Sequence, residues 1–97
     1  MDENLREYDL IVILNPELGI EAAKEEVEGL FKDLNIKVKE FKNLGRRELN
    51  YERKKYKTGI YLKYNLLMDK SVANELIFRL NIQNQVLHYF FKNLAKK

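Results

Sequence analysis

The apolar positions of this chain fall into six segments with two different periods. Tyr8-Asp-Leu-Ile-Val-Ile-Leu14 is β-branched and apolar, and the Asn15-Pro16 that follows cannot extend a hydrogen-bonded ladder, so a central strand is expected there. Beyond Gly19, residues Ile20, Ala23, Val27, Leu30, Phe31 and Leu34 recur at intervals of three and four with Glu and Lys between them, which predicts an amphipathic helix closed by Asn35. Its acids crowd the first half, where the helix dipole favours them. Ile36 to Phe41 alternates apolar with charged, the period of a half-exposed strand, and the pattern resumes past Gly45 as Arg46 to Tyr51. A polar, basic hairpin from Glu52 to Thr58 leads past Gly59 into a third strand, Ile60 to Met68. Asp69 is placed to cap a second helix carrying Val72, Leu76 and Leu80, flanked by Ile77 and Phe78. A polar link over 81–85 then gives way to a last strand, Val86 to Phe91, and a short basic tail over 92–97 that is expected to fray.

The order β-α-β-β-α-β is that of the ferredoxin-like, split βαβ sandwich: a four-stranded antiparallel sheet with two helices on one face, here as a single domain over 1–97. Strand alternation sends Leu10, Val12, Leu14, Ile60, Leu62, Tyr64, Leu66, Leu87, Tyr89 and Phe91 toward the helices. The open face then receives Asp9, Ile11, Ile13, Tyr61, Lys63, Asn65, His88 and Phe90. Ile11, Ile13, Tyr61 and Phe90 form an apolar centre on a face no helix covers, which suggests a docking surface for a partner protein, though isolated surface apolar residues are ordinary.

Charge changes this picture by its distribution. The net charge of +3 is modest, but residues 1–40 carry eleven acids against five bases, and residues 41–63 carry eight bases against two acids. A local excess of that size contacts polyphosphate or simply solvates a loop. The first residues, Met1-Asp2-Glu3-Asn4, are acidic and polar where a secretory signal would be basic and then apolar, and no apolar run approaches a membrane span, so a soluble, cytoplasmic protein is expected.

Catalytic chemistry is hard to build from these residues. The chain has one histidine, no cysteine and four widely spaced glycines, which leaves no thiolate, no metal-ligand spacing and no phosphate-binding glycine pattern. No cofactor and no enzymatic activity are expected.

The central strands carry part of an RNA-binding pattern. Lys57-Thr-Gly-Ile-Tyr-Leu-Lys-Tyr64 and Leu10-Ile-Val-Ile-Leu-Asn15 fall where an RNA-recognition motif has its signatures, but of the three usual stacking positions only Tyr61 is aromatic, with Gly59 and Ile11 at the others. A free-standing reader of single-stranded RNA through Tyr61 and Phe90 is the alternative reading.

Leu44-Gly-Arg-Arg-Glu-Leu-Asn-Tyr51, followed by Lys55, Gly59 and Tyr61, strongly resembles the family of the sixth protein of the bacterial small ribosomal subunit, whose hallmark is Gly-x-Arg-x-Leu-Ala-Tyr-Pro-Ile. Arg6-x-Tyr8 before the first strand, Asn15-Pro16 after it, and Leu80 to Tyr89 are similar to that family's opening and its entry into the last strand. Glu52 and Arg53 stand where the family usually has Pro-Ile, Asn50 where it has Ala, and His88 where it often has Arg. The resemblance implies a structural ribosomal protein that binds small-subunit (16S) ribosomal RNA as a heterodimer with the eighteenth small-subunit protein. Under that reading Gly45 permits a bulge in the long second strand, and Leu49 and Tyr51 pack beneath it. Arg46, Arg47, Lys54, Lys55 and Lys57, with Arg6, His88 and Lys92, supply phosphate and sugar contacts.

Overall fold

The computed structural model describes residues 5–94, apart from the side chain of Arg53. The elements are β1 (Arg6–Leu14), α1 (Ile20–Asp33), β2 (Lys37–Arg53), β3 (Tyr56–Met68), α2 (Lys70–Ile82) and β4 (Val86–Asn93). The strands form one sheet in the order β2-β3-β1-β4, and every neighbouring pair is antiparallel. This is the expected split βαβ arrangement. The polar link is shorter than expected because α2 runs on through Ile82, and β4 runs on through Lys92 and Asn93, after which the Leu94 amide donates to the Glu7 carbonyl at 2.8 Å. The rest of the expected tail, 95–97, and the opening residues 1–4 lie outside the described residues.

Helix ends follow local chemistry. Past the last turn of α1, Asn35 adopts φ +57°, the Ile36 amide returns to the Phe31 carbonyl at 2.8 Å and the Asn35 amide to that of Lys32 at 3.2 Å. Those paired bonds with a left-handed residue close the helix as a Schellman motif, and Ile36, buried, lands beside the residues it bonds back to. Asp69 caps α2 as expected: its carboxylate accepts from the Val72 amide at 3.1 Å and the Ser71 hydroxyl at 2.7 Å. These bonds, that of Ser71 first, hold the Asp69 carboxyl below its ordinary pKa.

The core lies between the helices and one face of the sheet. Leu10, Val12 and Leu14 of β1 and Ile60, Leu62, Tyr64 and Leu66 of β3 meet Ala23, Val27, Leu30 and Phe31 of α1 and Ala73, Leu76 and Leu80 of α2. Each fully buried leucine contributes about 1.5–3 kcal/mol by leaving water. The Tyr64 hydroxyl reaches the rim of this core, where it donates to Glu28 Oε2 at 3.2 Å.

One parity assignment is corrected by a bulge. Ile13 pairs with His88 but Leu14 pairs with Val86, so β4 contains one extra residue at that point. Val86 therefore enters the core, while Leu87, expected to face the helices, is buried but outside the core cluster.

Candidate nucleic-acid and protein interface

Strand register sorts the uncovered sheet face into rows. Reading from β2 to β4, one row is Glu40, Asn65, Asp9 and Lys92, the next is Lys42, Lys63, Ile11 and Phe90, and the third is Gly45, Tyr61, Ile13 and His88. The first row is polar and partly self-satisfied, since Asn65 Nδ2 donates to Asp9 Oδ1 at 2.9 Å. In the middle row two lysines sit directly opposite each other beside Ile11 and Phe90. Like charges in that position repel. Neither lysine belongs to an ion pair among the described residues, which include Lys39–Glu7 and the bonds of Arg79 to Asp33 and Glu75. Lys42 and Lys63 were not among the expected contact residues. The signal that could have found them is the β2–β3 register, which the sequence does not fix by itself.

The apolar centre expected on this face is only partly exposed. Phe90 is exposed (54%) and Tyr61 half-buried, but Ile13 is only 2% exposed. A methyl placed on Gly59 would come within 2.5 Å of Ile13 Cγ2, 3.3 Å of the Leu14 carbonyl and 3.5 Å of Leu49 Cδ2. Ile13 thus uses the space that a side chain at Gly59 would fill, with Leu49 alongside, and is not available on the surface in this conformation. His88 is half-buried, its ring 4.9 Å from Phe90 in an edge-on arrangement.

Gly45 governs the path of β2. It has φ +83°, a conformation glycine adopts without strain, its amide donates to Asn43 Oδ1 at 2.9 Å, and the register slips between Asn43 and Gly45. Beyond this bulge Arg46 pairs with Ile60, and its guanidinium donates to the Pro16 carbonyl at 2.8 Å. Arg47 pairs with Gly59, donates from Nε to the Leu44 carbonyl at 3.1 Å and lies 5.9 Å from the Tyr61 ring centre. Adjacent arginines therefore serve opposite sides of the sheet. Tyr51, expected to pack beneath the bulge, is 75% exposed instead.

At the hairpin tip Lys54 and Lys55 both have positive φ, +50° and +74°. Arg53 and Tyr56 pair around them, which makes a two-residue turn of the kind that favours Asn-Gly. Lys55 is exposed, but the Lys54 ammonium is occupied: it donates to the carbonyls of Asn84 at 3.1 Å and Val86 at 3.4 Å. Lys57 is exposed and borders a shallow hollow with Glu48, Asn50 and Glu52.

The expected cations consequently do not converge. Arg6 pairs with Met68 at one end of β1, whereas the Val86 carbonyl that holds Lys54 lies opposite Leu14 at the other, about 26 Å along the strand at ~3.3 Å per residue, and Lys92 lies between them, opposite Asp9 and four residues from His88. What the fold brings together is Lys42, Lys63, Ile11 and Phe90, with Arg47 and Tyr61 adjoining. Among the described residues no group of His, Cys, Asp or Glu is arranged to hold a metal, and no helix is long and apolar enough to cross a membrane.

Comparison with known proteins places this architecture. Residues 7–92 match the family model described as Ribosomal protein S6. The small ribosomal subunit protein bS6c of Cyanidium caldarium is 32% identical over 91 residues, covering 90% of this chain and 87% of that protein. The small ribosomal subunit protein bS6 of Streptomyces coelicolor is 34% identical over 86 residues, covering 86% and 90% respectively. The crystal structure of 30S ribosomal protein S6 from Thermotoga maritima superposes with a TM-score of 0.78 at 20% identity, over 92% of this chain and 87% of that one. The C-terminal domain of the MgtC protein from Mycobacterium tuberculosis shares the fold alone, with a TM-score of 0.61 at 20% identity over 96% and 92% of the two chains.

Proposed function

The chain belongs to the ribosomal protein S6 family, structural components of the small ribosomal subunit and not enzymes, and from that premise we propose that it binds small-subunit (16S) ribosomal RNA together with the eighteenth small-subunit protein. The observation that supports this reading best is the middle row of the open face. Two directly opposed lysines favour a polyanion between or above them, because a phosphate relieves their mutual repulsion. Ile11 and the exposed Phe90, next in the same row, offer the apolar area that a protein partner covers.

On this reading Arg47, Lys55 and Lys57 join Lys42 and Lys63 as phosphate contacts near the hairpin, Lys92 adds one on the open face beside Asp9, and Arg6, opposite Met68, makes a separate one from the other side of the sheet. His88 and Tyr61 border the apolar part. Such contacts position the protein on RNA without reading its sequence.

Titration against platform RNA of the small subunit, with and without the partner and at several salt concentrations, tests the proposal. Tight binding that needs the partner and weakens with salt is expected. Equally tight binding to any single strand without the partner, abolished by Tyr61→Ala, would instead establish the free-standing single-strand reader.

A further inference from the structure

The distal part of the β2–β3 hairpin folds back over the open face instead of projecting from it. Between Glu48 and Arg53 the outer strand takes five residue steps while its partner takes two, from Thr58 to Tyr56. That excess lets Leu49, Asn50 and Tyr51 leave the ladder and border a slot of about 220 Å³ together with Ile13, Tyr61, His88 and Phe90. The tip then reaches the opposite edge of the sheet, where Lys54 bonds to the start of β4.

Three features mark this as a closure that can open. The turn holds two lysines in the left-handed region, which disfavours side chains, so the tip conformation is maintained by its contacts rather than by local preference. The bonds at the tip join a charged donor to neutral carbonyls, that of Asn84 in an exposed place and that of Val86 partly buried, and a phosphate oxygen is a stronger acceptor for the same ammonium. The outer strand between Glu48 and Arg53 lacks regular pairing that would resist its movement.

We infer that this hairpin is a strap, closed over the apolar end of the open face by Lys54 on the Asn84 and Val86 carbonyls, and that a phosphate backbone releases it by taking the Lys54 ammonium and uncovering Ile13. The identity of that backbone as RNA rests on the reading given above; the strap itself does not. Binding of the polyanion and exposure of the apolar surface become coupled, so each favours the other.

The chain has no cysteine, so a pair introduced by Lys55→Cys and Asn84→Cys carries spin labels that report tip-to-β4 distance in the whole free protein. A single short distance is expected. Adding Lys54→Met should raise the open fraction roughly two- to tenfold, the equivalent of one net hydrogen bond. Inorganic polyphosphate should raise it in the parent and leave the Lys54→Met protein unchanged. Leu49→Ser, which removes an apolar contact of the strap, should also open it with Lys54 intact. An unaltered distance in Lys54→Met, or a polyphosphate response that persists without Lys54, would overturn the strap. Failure of platform RNA to bind while polyphosphate still opens the tip would sink the RNA reading and leave the strap standing.

Discussion

The Tyr64 hydroxyl donates to the Glu28 carboxylate at 3.2 Å, tying β3 to α1 at the margin of the core. Burial first, and then the neighbouring Glu28 charge, push the Tyr64 pKa far above its ordinary value. In the unfolded chain Tyr64 ionises at about pH 10, whereas in the fold it keeps its proton, so the folded state binds more protons and stability falls as pH rises beyond about 10. Tyr64→Phe should lose about 0.5–1.5 kcal/mol near neutrality and show a shallower alkaline decline in denaturant titrations between pH 8 and 11. Parallel declines in the two proteins would show that other groups control alkaline unfolding.

Asp69 gives the opposite pH dependence. Its carboxyl is held below the usual value by Ser71 and the Val72 amide, so its contribution is complete above about pH 3.9 and is lost as pH falls through its lower folded value. Asp69→Ala should lower the melting temperature at pH 7, and Asp69→Asn, still a capping residue, should largely preserve it while removing this acid dependence. Thermal scans at pH 7 and in acid measure both.

Gly59→Ala should destabilise the fold by about 1–3 kcal/mol, the ordinary cost of overpacking. The added methyl meets Ile13 Cγ2 and the Leu14 carbonyl. Pairing it with Ile13→Ala should recover part of the loss. A chemical denaturation curve for the double variant no better than the sum of the singles would show that the clash is not with Ile13.

Gly45→Ala meets no neighbour, yet its φ of +83° excludes an ordinary side chain. A loss of about 1–2 kcal/mol is expected from backbone strain alone. Gly45→Asn should lose less, because asparagine tolerates this region better.

Replacing Lys42 and Lys63 together by alanine should move two properties in opposite directions. Removing the cross-strand repulsion should stabilise the free protein by about 0.2–1 kcal/mol. The salt dependence of RNA binding should flatten by about one to two units of slope. An unchanged slope would show that phosphate does not approach this row.

Much of the fold is legible because each element has a local cause. The three- and four-residue spacing of Ala23, Val27 and Leu30, the alternation from Ile60 to Leu66 and the Asp69 cap act within a turn or two of chain, and the structure keeps all of them. The candidate site is legible only in outline. Bulges at Gly45 and Leu87 reset strand parity, which puts Arg47 rather than Arg46 on the open face and brings Val86 inward. The burial of Ile13, the exposure of Tyr51 and the occupied Lys54 all depend on the hairpin folding back on strands far away in sequence, and no residue pattern within the hairpin encodes that contact.

The position of β4 also bears on how the chain is made. β1 precedes β3 and β4 in the chain yet lies between them in the sheet. Until residue 93 has left the ribosome, one whole side of β1 has no ladder partner and its Ile11 and Ile13 have no β4 residue opposite them. The sheet therefore closes only once β4 has emerged, and until then the nascent chain keeps an unpaired apolar strand edge that chaperones or early partners are able to bind.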